Sequence, residues 1–126
     1  MRRQADAEAL KSKASSRLVA IALDVADSLS VSTAASAVAG AVGDAGLDGL
    51  VNNAGVVVTG PVEFLPLPEL RRQLEINVVG QVAVTQAFLP LIRAARGRIV
   101  NMGSIAGRLA TPSRARTAPP SSPWKP

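Results

Sequence analysis

The sequence predicts an α/β domain built on a parallel sheet with helices packed against its faces, and three observations carry that expectation. Short apolar runs alternate with longer stretches of helix-forming composition. Nearly half of the 126 residues are hydrophobic, yet only 2% are aromatic, a balance that suits aliphatic parallel strands and Ala-rich helices. Two of the apolar runs end in small, polar, turn-forming residues, as strands do where they leave the carboxyl edge of such a sheet.

The elements follow in order. Residues Ala5 to Lys13 have helical composition. Arg17 to Leu23 reads as a short buried strand ending at Asp24. Asp27 and Ser28 are placed to cap a helix running from Leu29 to Val42, closed by Gly43 to Gly46. Leu47 to Val51 forms the next strand and runs into Asn52-Asn53-Ala54-Gly55. Pro66 and Pro68 set up a helix start, where proline is tolerated, and Glu69 adds a favourable negative charge. That helix, the longest, extends from Pro68 to about Ala95, with Leu70, Leu74 and Val78 spaced along one face, a stripe expected to pack into the core. Gly97 to Met102 gives a third strand, followed by Gly103-Ser104. From Pro112 the texture changes: four prolines fall in the last eight residues, and the segment reads as a disordered tail.

Composition narrows the chemistry. The chain has no cysteine and no histidine, so disulfides, thiolate nucleophiles, imidazole bases and the usual zinc sites are excluded, and the cytosol is the expected compartment. The net charge of +5 sits mostly in the second half, where no Asp or Glu follows Glu75 while Arg93, Arg96, Arg98, Arg108, Arg114, Arg116 and Lys125 do. No aromatic platform lies among those charges, so nucleic acid is not expected as a partner. Met1-Arg2-Arg3 leads into polar residues, which does not support a signal peptide. The most apolar stretch, Ile76 to Ile92, is interrupted by Asn77, Gly80, Gln81, Gln86 and Pro90 and is expected to be a buried helix, with no membrane as a partner.

Four features stand in a fixed order: Asp24-Val25 after a strand, Asn52-Asn53-Ala54-Gly55 after the next, Asn77 inside a long helix, and Ser104 after a third strand. Alone, each reads as a turn, a cap or a tolerated polar residue. Together, over Ala5 to about Pro112, they resemble the short-chain dehydrogenase/reductase family. The resemblance implies a partial doubly wound parallel sheet, Rossmann-like and three-layered (α/β/α), spanning residues 1–112 and incomplete. It implies NAD or NADP as cofactor and a small-molecule alcohol or carbonyl as substrate. Asp24 would hydrogen-bond the adenine amino group beside the Val25 backbone. Asn53, Ala54 and Gly55 would line the adenosine ribose, with Gly55 permitting close backbone approach. Asn52 would tie neighbouring strands through its side-chain amide. Asn77 would help hold a water in the proton relay, and Ser104 would hydrogen-bond the substrate oxygen, where developing charge needs positioned donors.

Two family features are missing. The proton donor is a tyrosine activated by a lysine one helical turn later; this chain has no tyrosine, and the family spacing from Ser104 falls on Thr117 and Ser121. No Gly-rich phosphate-binding turn precedes the Asp24 strand. The chain is therefore expected to be a truncated fragment, inactive alone. An alternative is a non-catalytic interaction module that pairs through the long helix with intact relatives, as a homo- or hetero-oligomer. Residues 113–126 are expected to be the family's next segment translated out of frame. Arg116 to Pro126 can be encoded so that a one-base shift reads Tyr-Ser-Ala-Ser-Lys-Phe-Ala-Leu-Glu-Ala, a tyrosine-lysine helix start. Sequencing the underlying DNA decides this hypothesis: codons that yield no such segment in another frame refute it.

Overall fold

The computed structural model describes Ser15 and residues 17–104. The expected helix at residues 5–13 and the tail from Pro112 onward lie outside the described residues.

Helix α1, Ser28–Val42, begins where Asp27 supplies its carboxylate oxygen to the Leu29 and Ser30 amides at 2.9 and 3.2 Å. These are two of the donors that a helix start leaves without intrahelical partners. A short 3-10 turn, Gly43–Ala45, leads to Gly46. Gly46 has φ +73°, and a Cβ there would lie 2.8 Å from the Ala95 amide nitrogen, so both conformation and space require glycine.

Strand β1, Gly49–Asn52, pairs in parallel with β2, Arg98–Asn101, with Asn52 opposite Asn101. The connection between them is a long helix in three parts: α2, Leu67–Leu74, a π turn, Glu75–Val79, and α3, Gly80–Ala94. The chain leaves α3 through Arg96, which takes φ +53°, and Gly97, whose amide closes onto the Ile92 carbonyl at 2.8 Å. That six-residue closure satisfies a terminal carbonyl and starts β2 at once.

The core lies between α1, α3 and one face of the strand pair. Ile76, Gly80, Val84, Phe88 and Ile92 form a buried stripe at four-residue spacing along the long helix, of which Ile76, Val84 and Phe88 meet Val25 together with Val31 and Ala34 of α1. Burial of the Phe88 ring alone contributes roughly 1.5–3 kcal/mol. The parallel sheet with helices is as expected, partial and incomplete. Val51 is 61% exposed and Val100 49%, so among the described residues nothing covers the second sheet face.

Three expectations need correction. Arg17 to Leu23 forms no ladder with β1 or β2 and is not buried throughout: Ile21 and Leu23 pack on the core while Val19 is 74% exposed. Leu18 to Leu23 is apolar at every position, but only alternate side chains of an extended chain can meet one core. The Leu70-Leu74-Val78 stripe is not the core face, since Leu74 and Val78 are half-exposed. The buried stripe starting at Ile76 is two residues out of phase with it, roughly the opposite side of a helix with about 3.6 residues per turn. The stretch Ile76 to Ile92 is correspondingly buried on one stripe and not all round. The whole helix Leu67–Ala94 is long and apolar enough to cross a membrane, but it packs on β1 and α1 as a core helix does.

Gly80 is the contact point between the long helix and the chain after Leu23, because a Cβ there would lie 2.8 Å from both Val25 Cγ2 and the Val25 carbonyl oxygen. Gly80→Ala gains helix propensity worth about 1 kcal/mol, but it forces a backbone shift costing about 1–3 kcal/mol. The variant should be less stable by about 1 kcal/mol in urea unfolding; equal or greater stability would contradict this packing.

Candidate active site

The carboxyl ends of β1 and β2 set the site. Because Asn52 pairs with Asn101, Gly55 and Ser104 each lie three residues beyond the last paired position, on the same edge. That edge is where ligands bind in open parallel sheets.

Asn52 anchors it. Its side chain is 5% exposed, and its amide nitrogen donates to the Asn101 side-chain oxygen at 2.8 Å and to the Thr85 hydroxyl at 2.9 Å. One amide thereby ties β1 to β2 and to α3, as the resemblance implied for Asn52. Left unpaired at this burial it would cost about 1–3 kcal/mol.

A cleft of about 440 Å³ opens beside β1, lined in part by Val25, Asn53, Ala54, Gly55 and Gln81. Four of the residues expected at a cofactor site thus share one cavity. Val25 contributes a buried side chain, and Asn53, Ala54 and Gly55 are exposed. A Cβ at Gly55 would meet Asn77 Oδ1 at 3.5 Å, an ordinary contact, so the helix beneath does not itself demand glycine there.

Asp24 sits immediately before Val25 and is not among the lining residues. Its backbone amide donates to Ser30 Oγ at 2.9 Å and its Oδ1 accepts from the Ala26 amide at 3.1 Å, an Asx turn that fixes the entry to α1. The helix cap itself belongs to Asp27.

Asn77 lies inside the π turn, and both ends of its amide are engaged: Oδ1 accepts from the Val56 amide and Nδ2 donates to the Val56 carbonyl, each at 2.8 Å. The side chain therefore holds the chain leaving β1. A π turn within an α-helix is often a functional feature, and the four-residue spacing of the sequence did not reveal it. Ser104 is exposed at the end of the described chain.

Sequence reasoning missed Gln73, Gln81 and Thr85. Val58 donates its amide to Gln73 Oε1 at 2.6 Å, and Gln81 Nε2 donates to the Ala54 carbonyl at 3.2 Å. The available signal was the recurrence of a polar residue at every fourth position from Gln73 through Thr85.

Fold and edge together define a partial Rossmann-type α/β domain. The family model described as short chain dehydrogenase matches residues 1–116, and the chain belongs to that family. Human retinol dehydrogenase 5 is 49% identical to it over 105 residues, which is 82% of this chain and 33% of that protein. Bovine 17-beta-hydroxysteroid dehydrogenase type 6 is 45% identical over 105 residues, again 82% and 33%. The crystal structure of an NADPH-bound carbonyl reductase from chicken fatty liver superposes with a TM-score of 0.74 at 27% identity, covering 82% of this chain and 42% of that one. The chain thus spans about a third of the length of the curated relatives it matches.

Proposed function

We propose that this chain carries the adenosine side of an NAD(P) site, belonging to an enzyme that moves a hydride between the nicotinamide cofactor and an alcohol or carbonyl compound. The observation that carries the reading is the gathering of Val25, Asn53, Ala54 and Gly55 around one cleft at the carboxyl edge of a parallel strand pair. The lining fits the group, since Ala54 and Gly55 are small enough to admit a ribose against the backbone; Asp24, outside the lining but next to Val25, carries a carboxylate of the kind that accepts from an adenine amino group. When bound, the cofactor supplies the hydride. Ser104, on the same edge, would donate a hydrogen bond to the substrate oxygen, and Asn77, its side chain committed to Val56, would act through its main chain in the π turn. Relatives named for retinol and for a hydroxysteroid favour an apolar alcohol as substrate class.

The 126 residues by themselves do not reduce a carbonyl, in this reading, because the proton donor the family resemblance implies is a phenol and the chain contains none. A threonine hydroxyl at Thr117 ionises far too reluctantly, and Ser121 carries no charge to assist it. A frame-shifted tail at residues 113–126 would account for both residues.

Two measurements test the proposal. NADH and NADPH fluorescence titrations should give saturable binding that weakens about tenfold in Asp24→Ala, the loss of one charge-assisted hydrogen bond. Retinol, hydroxysteroid and ketone assays should give no turnover. Binding untouched by the substitution would sink the adenosine assignment, and turnover by the purified chain would sink the claim of inactivity.

A second reading has an observation of its own. Leu67, Leu74, Val78 and Val82 are all at least half exposed along the long helix, a face on which an interaction module could pair with an intact relative. Size-exclusion chromatography of the mixed proteins should show co-elution if so, and separate peaks if the chain is only a fragment.

A further inference from the structure

One face of the long helix carries Gln73, Asn77, Gln81 and Thr85 at successive four-residue steps. The chain running through and beyond the end of β1 meets them at successive two-residue steps. Gln73 takes the Val58 amide, Asn77 takes both backbone groups of Val56, Gln81 takes the Ala54 carbonyl, and Thr85 takes the side-chain amide of Asn52. The match is metric. Four helical residues rise roughly 6 Å and two extended residues roughly 6.6 Å, so rungs stay opposite one another over the whole run, the two chains pointing in opposite directions. The chemistry of each partner also fixes each side-chain amide: a backbone N–H requires the oxygen of Gln73, and a carbonyl requires the nitrogen of Gln81.

We propose that Gln73, Gln81 and Thr85 are positioning residues which, with Asn77, lock residues 52–58 in register against the helix. The consequence for function rests on the cofactor reading above. Asn53 and Gly55, between the rungs, line the cleft together with the rung residues Ala54 and Val56, and a slip of one residue would exchange the two sets. The ladder therefore decides which backbone groups face the cleft. Its rungs are adjacent to the buried apolar stripe, so a single helix rotation sets both core packing and loop register.

The test uses the opposite polarity of two rungs in the full chain. By amide hydrogen exchange, Gln73→Lys should speed exchange of the Val58 amide about tenfold, whereas Gln73→Glu, which keeps an acceptor, should preserve protection. At Gln81 the order inverts: Gln81→Lys, which keeps a donor, should retain the Ala54 carbonyl carbon shift, and Gln81→Glu should lose it. Substitutions of similar size at one site disrupt folding alike, so this crossed pattern reports hydrogen bonding and not general damage. NADH affinity should fall in the two loss variants and recover in the two conservative ones. Equal exchange at Val58 in Gln73→Lys and Gln73→Glu would overturn the proposal. The crossed pattern without NADH binding in any protein, including the unmutated chain, would support the register lock and refute the cofactor reading.

Discussion

A buried amide must find partners, and Asn52 finds them in two directions at once. Its nitrogen reaches Asn101 across the strand pair and Thr85 on the helix above, at a site only 5% exposed. Without those partners the strand end would carry a desolvation penalty of about 1–3 kcal/mol. With them, β1, β2 and the long helix are held at one point. The polar side chains that continue along the helix extend this constraint outward from the core to the exposed turn, where the cleft opens.

The geometry explains why the same helix carries a π turn. The buried stripe Ile76, Gly80, Val84, Phe88 and Ile92 must face the core, while Gln73 to Thr85 must face the chain leaving β1. Both demand a strict four-residue repeat, which drifts against an α-helix of about 3.6 residues per turn. One wider turn at Glu75–Val79 takes up part of that drift, and Asn77 lies within it. Gly80 follows directly, where Val25 packs so closely that a side chain has no room. The two lips of the cleft, Val25 on one side and the turn after β1 on the other, are thus placed by consecutive parts of one helix.

Much of this was legible in the residues. Asp27 as a cap, the strand ending at the paired asparagines, the proline-led helix start and the third strand all follow from local chemistry, and their order sufficed to indicate the family. The extent of burial was less readable. Leu18 to Leu23 is apolar throughout, and nothing local distinguishes the side chains that meet a core from those that do not. Leu70, Leu74 and Val78 imitate a core stripe because helical spacing marks a face without saying what lies against it. The polar repeat was visible, but its meaning depends on Ala54, Val56 and Val58, whose backbone groups leave no mark in a sequence. For the site, Asn53 to Gly55 could be placed at the sheet edge from their turn chemistry, whereas the double engagement of Asn77 required the tertiary structure.

The central claim is that the Asn52–Thr85 contact joins strand end and helix as a coupled unit. A double-mutant cycle with Asn52→Ala and Thr85→Val, followed by urea unfolding, measures it most directly. The account predicts that the double variant loses less stability than the two single variants combined, by a coupling of about 1 kcal/mol. Additivity within about 0.3 kcal/mol would mean that the two residues act independently, and the account would be wrong at its anchor.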